Sequence, residues 1–150
     1  MIRVQREDFD VGAELDRLGA RNRRIGGLAS FVGLVRDMGG GDRVSALTLE
    51  HYPGMTEKKL AEIELEAHRR WPLEASLIIH RYGRLEPGDR IVLVATASPH
   101  REAALAACHF LIDWLKTDAP FWKSEETPEG ERWVEARHED NAAKEGWEKR

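Results

Sequence analysis

The 150-residue sequence holds a single cysteine, Cys108, so neither an internal disulfide nor a multi-cysteine metal site can form. Long apolar runs are missing too. The longest, Ala103 to Ile112, is interrupted by His109 and is far shorter than the ~20 residues a membrane-spanning helix needs. The opening MIRVQREDFD has no apolar signal core, so a cytoplasmic location is expected. Excess positive charge is also absent: 23 basic against 27 acidic residues leave a net charge of −4, which argues against broad attraction to nucleic acid or an anionic membrane. The six histidines (51, 68, 80, 100, 109 and 138) form no HExxH pattern, and no serine stands in a G-x-S-x-G context. Gly39-Gly40-Gly41 lacks both the Lys-Ser/Thr of a P-loop and the spacing of a dinucleotide fingerprint. Metal, cofactor, nucleotide-hydrolysis and serine-hydrolase chemistry therefore have no motif to rest on, and neither a metal nor a cofactor is expected. The remaining composition, 41% hydrophobic and 33% charged with a mean hydropathy of −0.54, is that of one soluble globular domain.

Periodicity divides the chain into short elements. Ile2 to Gln5 reads as a strand and Val11 to Leu18 as a helix stopped by Gly19. GLASFVGLV, from Gly27, reads as a largely buried strand ending at Arg36, followed by a mobile glycine loop over residues 37–42 and a strand from Val44 to His51. Thr56 is placed to cap a helix running to about Arg70, with Leu60, Ile63 and Ala67 inward. Leu73 to Tyr82 and Arg90 to Ala97 read as antiparallel neighbours joined by a tight turn. Ser98 as N-cap and Pro99 at the first position open a second long helix, which should end near Thr117. Residues 120–136 read as ordered but irregular, with a short strand around residues 132–135. We expect one domain over residues 1–137 and a charged, weakly ordered tail over 138–150.

Three places could carry chemistry. Ser98-Pro99-His100-Arg101 brings an imidazole and a guanidinium to a helix N-terminus, where two cations oppose the dipole unless an anion such as phosphate binds. The other reading has both side chains in solvent or paired with acids such as Glu102. In Lys116-Thr117-Asp118-Ala119-Pro120-Phe121-Trp122-Lys123, two of only six lysines bracket an aromatic turn. Lysine can act as nucleophile or general base where arginine cannot, although Lys116 could merely balance the helix C-terminus and Lys123 lie over Trp122. Arg36 stands where a strand opens into the glycine loop, and Arg137 follows the last expected strand as a weaker candidate.

Several segments in order, LTLEHYPGMTEKKLAEI, RWPL, IIHRYGRLEPGD, SPHREAALAACHFLIDWLKTDAPFWK and TPEGERWVEA, resemble the MoaE family, the large catalytic subunits of molybdopterin synthase. The resemblance covers about residues 26–136. It implies an α+β fold, an α/β hammerhead with an additional small antiparallel sheet. It also implies a sulfurtransferase that converts cyclic pyranopterin monophosphate into the molybdopterin dithiolene in molybdenum cofactor biosynthesis. The sulfur donor would be the C-terminal Gly-Gly thiocarboxylate of a small ubiquitin-like carrier subunit, and two large subunits would form the central homodimer of a heterotetramer. By resemblance, Lys116 and Lys123 are the catalytic lysines, and Arg36, His100, Arg101 and Arg137 bind substrate. Asp118, between the lysines, sits at a position where the family varies. The competing expectation is a non-catalytic phosphate-ligand-binding or scaffold module.

Overall fold

The structure is a computed structural model describing residues 1–39, 42, 43, 45–134 and 138–148. In chain order its elements are β1 (Ile2–Gln5), α1 (Val11–Gly19), β2 (Gly27–Leu34), β3 (Met38–Gly39), β4 (Asp42–Arg43), β5 (Ala46–His51) and α2 (Met55–Arg70). They continue with β6 (Ala75–Arg81), β7 (Gly83–Leu85), β8 (Arg90–Ser98), α3 (Arg101–Thr117), β9 (Phe121–Thr127), β10 (Gly130–Val134) and α4 (His138–Glu148). One sheet has the order β1-β6-β8-β2, a second has β10-β9-β5-β7, and β3 pairs with β4. The result is an α+β domain with an added small antiparallel sheet, as the resemblance implied.

The apolar runs of β6 and β8 are explained by helices on both faces of the first sheet. Ile78 and Val94 pack with Leu60, Ile63 and Ala67 of α2 and with Ala104, Phe110 and Leu111 of α3. Leu77, Ile79, Leu93 and Ala95 face the other way, against Phe9 and the Val11, Leu15 and Leu18 stripe of α1. Val35, Leu47, Leu49 and Leu85 form a third cluster that ties the second sheet to the first. Between β6 and β8 the chain makes more than a tight turn: β7 leaves the first sheet and pairs with β5 in the second.

Several local expectations are corrected. β2 is an edge strand rather than a largely buried one, with Leu28, Phe31 and Leu34 exposed, because among the described residues only β8 pairs with it. The two flanks of the glycine run pair as β3 and β4 instead of forming an open loop, while Gly40 and Gly41 lie outside the described residues. Gly54, at φ 86°, precedes α2, and Glu57 accepts a hydrogen bond from its backbone N–H at 2.6 Å. Thr56 lies inside that helix, fully buried, and its hydroxyl donates to the Tyr52 carbonyl at 2.7 Å. At α3 the N-cap is His100 rather than Ser98. The Ser98 hydroxyl instead donates to Pro72 O at 2.9 Å and accepts from the His100 N–H at 3.1 Å, locking the approach to the helix. Gly26 belongs to the same lock, since a Cβ there would stand 2.2 Å from Pro99 O.

The stretch from residue 121 is a regular hairpin, β9 with β10, whose polar sequence conceals strands with one solvent face. Residues 138–148 form α4 where a weakly ordered tail was expected. One aromatic residue anchors it: Trp147 packs edge-on against Trp71 and Phe110, and its indole N–H donates to Asp113 at 2.6 Å. Trp147 thus joins the core shared by α2 and α3.

Candidate active site

The placement of α3 decides the site. Its backbone runs back along β8: Thr96 donates to Ala104 O at 2.6 Å, and Cys108 lies 3.9 Å from Val94 O. The helix therefore starts beside Ser98 and ends beside the opposite end of the strand. Arg101 and Lys116 are separated by about 22 Å along its axis at 1.5 Å per residue. The candidate residues fall into two groups at opposite ends of this layer.

At the start of α3, His100 and Arg101 are both exposed. His100 keeps extended backbone geometry, and its carbonyl accepts the first helical hydrogen bond, from Ala104 N–H at 3.1 Å. The free N–H groups of the first turn, with the two side chains, form a shallow cationic surface suited to an anion. Arg36 is not there. It follows Val35, whose N–H donates to Asp89 O at 2.9 Å, so Arg36 stands beyond the Arg90 end of β8, at the same end as the α3 C-terminus.

At that second end, Lys116 is exposed in the last turn of α3 and Lys123 is half-buried on β9. The register pairs Leu49 with Lys123 and His51 with Phe121, which puts Lys123, Phe121 and His51 on the same inward face as buried Leu47 and Leu49. Phe121 stacks on His80 with ring centroids 3.8 Å apart at 17°. His80 is buried and its Nδ1–H donates to Arg81 O at 2.8 Å. Burial, aided by the positive charge of Lys123, His51 and Lys116, pushes its pKa down to about 4, so the ring is a neutral wall near pH 7. Both lysines are thereby placed within electrostatic reach of one buried imidazole. Asp118 does not stand between them as a free acid: its carboxylate accepts from Lys144 of α4 at 2.8 Å. A cleft of about 400 Å³ between α2 and α3, lined by Lys59, Glu62, Glu66, Phe110, Trp114 and Asp118, contains neither Lys116 nor Lys123.

Arg137 lies outside the described residues. Cys108, buried on α3, has its thiol pushed up to about 11 by that burial, which removes it as a thiolate nucleophile. Among the described residues no three His, Cys, Asp or Glu side chains are grouped to hold a metal ion, and no helix is long and apolar enough to cross a membrane. Sequence reasoning passed over His51 and His80. The available signal was alternation: His51 continues the Leu47, Leu49 face of β5, and His80 ends a continuous apolar run.

The helix-backed α+β domain carries two lysines and an arginine at one end of α3 and a helix N-terminus with His100 and Arg101 at the other. The chain belongs to the MoaE protein family, matching it over residues 4–118. It is 57% identical over 147 residues to the molybdopterin synthase catalytic subunit of Pseudomonas aeruginosa, covering 98% of both chains. The MoaE protein structure from Burkholderia ambifaria superposes with a TM-score of 0.85 at 57% identity, covering 99% of this chain and 97% of that one. The crystal structure of molybdopterin synthase from Staphylococcus aureus gives 0.82 at 33% identity, with coverage of 89% and 96%.

Proposed function

We propose that this chain is the catalytic subunit of a molybdopterin synthase, a sulfurtransferase that moves sulfur from the thiocarboxylate tail of a small carrier subunit onto cyclic pyranopterin monophosphate. The observation that carries the reading is the gathering of Lys116 and Lys123 at one end of the sheet, around the His80–Phe121 stack and at the same end as Arg36. Lysine amines can attack or exchange protons with a carbonyl, while Arg36 offers a fixed cation for the thiocarboxylate and the oxyanions that form from it. His100, Arg101 and the first turn of α3 hold the substrate phosphate as its ring opens. The partner is a carrier whose flexible Gly-Gly tail threads to the lysines. The reading includes a cytoplasmic site of action, where a lone buried thiol needs no oxidising compartment.

A homodimer is part of the proposal because the two groups are too far apart within one chain to hold one small substrate. Among the described residues β2 has one edge unpaired, and it exposes Leu28, Phe31 and Leu34. Two copies placed edge to edge through β2 about a two-fold axis would run antiparallel. The Gly27 end of one strand, beside His100 and Arg101, would then meet the Leu34 end of the other, beside Arg36 and Lys116. Arg137 is assigned to the same substrate pocket by the resemblance alone.

The test is dithiolene formation from a thiocarboxylated carrier and cyclic pyranopterin monophosphate. Lys116→Ala, inactive alone, and Arg101→Ala, weak alone when the pterin is well below its raised KM, should recover turnover at that low pterin concentration when unfolded together and refolded as mixed dimers, because one composite pocket is then intact. Failure to complement would sink the shared pocket. Substrate binding with no product from the wild-type chain and carrier would favour the non-catalytic phosphate-binding reading.

A further inference from the structure

The finish of α3 carries acids where its dipole is already negative. Asp113 lies just over one turn from the end and Asp118 is the C-cap, while the basic residue of the last turn is Lys116. Both carboxylates are met from α4: the Trp147 indole N–H donates to Asp113 at 2.6 Å, and the Lys144 ammonium donates to Asp118 at 2.8 Å. Lys144 and Trp147 stand at the i, i+3 spacing that puts side chains on one helix face, and Glu148 follows at i+4. Lys144 is fixed from two further sides, its Nζ lying 5.2 Å from the centre of the Trp114 ring and 3.6 Å from Glu148. The hydrogen bond to Asp118 holds its pKa above the ordinary lysine value, so the ammonium keeps its charge at neutral pH.

We propose that Lys144 is a positioning residue: by neutralising Asp118 at the dipole end, it holds the last turn of α3, which carries Lys116, and the turn that leads on to Lys123. The inference rests on the reading of Lys116 and Lys123 as the reacting lysines. Asp118 lies two residues after Lys116 and five before Lys123, inside the stretch that joins them. That stretch is built on two backbone bonds, from the Asp118 N–H to Trp114 O and from the Phe121 N–H to Ala119 O, both at 2.8 Å. Ala119 also packs against the core that Trp147 enters. With its charge unanswered, the Asp118 carboxylate would oppose the carbonyls of the last turn and loosen the first of those bonds. Lys144 and Asp118 remain 22% and 31% exposed, so their pairing adds little to global stability and acts on local placement.

The test uses the full chain with its thiocarboxylated carrier and cyclic pyranopterin monophosphate. Lys144→Met keeps an unbranched side chain and removes its charge. It should lower kcat about fivefold, leave KM for both substrates within about twofold and keep the melting temperature within about 4 °C. Lys144→Arg should turn over as wild type. Asp118→Asn removes the charge that Lys144 answers, so when added to Lys144→Met it should restore most of the lost kcat. A readout independent of turnover is exchange of the Asp118 amide, followed by NMR, which should quicken about fivefold in Lys144→Met and return to the wild-type rate in Lys144→Arg. A wild-type kcat in folded Lys144→Met, or a double variant no better than Lys144→Met alone, would overturn the proposal. Lys116→Ala and Lys123→Ala variants that retained turnover would overturn the reading beneath it, and amide exchange at Asp118 reads the hold of Lys144 separately.

Discussion

The two ends of α3 are built in opposite ways. At its start, His100 and Arg101 are exposed on a cap made largely of backbone N–H groups, held in place by Ser98, Pro72 and the tight approach of Gly26. At its finish, exposed Lys116 and half-buried Lys123 stand within electrostatic reach of buried His80, which stacks on Phe121 beside His51 and Tyr82. An exposed cap can collect an anion over a range of approaches but cannot hold reacting atoms closely. A buried, neutral His80 ring stacked on Phe121 lowers the local polarity beside the amines. The proposed function puts binding at the first end and bond-making at the second, a division that the following experiments can break.

The largest effect is expected at the reacting end. Lys116→Ala should lower kcat by about a hundredfold or more while stability stays within about 0.5 kcal/mol, because the side chain is exposed and packs little. Steady-state turnover beside a thermal melt checks both halves. A variant that melted early would show Lys116 to be structural, and one that turned over normally would remove it from the chemistry.

The wall itself can be probed by pH. The pKa of His80 is depressed to about 4 from 6.5, so between those values the unfolded chain binds a proton that the folded chain refuses. Stability from this ring is present above about pH 6.5 and is lost as pH falls toward 4, by about 3 kcal/mol at most. Glu14, whose carboxyl is held low by hydrogen bonds from Arg3, then Arg17, adds a loss of the same sign at lower pH. His80→Phe keeps a flat ring against Phe121 and has nothing to protonate. The difference in urea midpoint between pH 7 and pH 4.5 should shrink in that variant, and an unchanged difference would show that burial of His80 is not what couples this end to acid.

The binding end has a backbone weak point. A methyl at Gly26 would meet Pro99 O at 2.2 Å, a main-chain atom that cannot swing aside. Gly26→Ala should cost about 2 kcal/mol and weaken substrate binding, because the segment that must shift carries His100 and Arg101. Carrier binding, at the other end, should be unchanged when measured by calorimetry.

How much of this was legible depended on how many constraints each residue carried. β6 and β8 were readable because burial on both faces demands continuous apolar sequence, and α3 because its apolar stripe repeats at helical spacing. β9 and β10 were hidden because only one face of a small sheet needs apolar residues, so Lys123-Ser124-Glu125-Glu126 looks like a loop. α4 was hidden because its only large apolar residue, Trp147, finds its pocket among distant helices, with Lys144 pairing to Asp118 beyond its own segment. The lysines stood out by rarity and His100 with Arg101 by their place at a helix start, yet nothing in the sequence said that these pairs lie at opposite ends. Only the path of α3 along β8 fixes that. His51 escaped for a related reason, since its partner Thr56 looks like an N-cap until Gly54 takes that position.

The smallest effect is the one that sharpens the division most. Arg101→Ala removes an exposed guanidinium that no fold contact requires, so stability should not move. If the α3 start only collects the phosphate, KM for the pterin should rise about tenfold while kcat stays within about threefold, and added salt should narrow the gap by screening the wild-type attraction. A guanidinium that also stabilised charge in the transition state would instead lower kcat with little change in KM. The kcat-against-KM split in this variant, measured at two ionic strengths, therefore decides whether the start of α3 is a holding site alone. A fall in kcat would mean that its cations reach the reacting atoms, which within a single chain the length of α3 forbids.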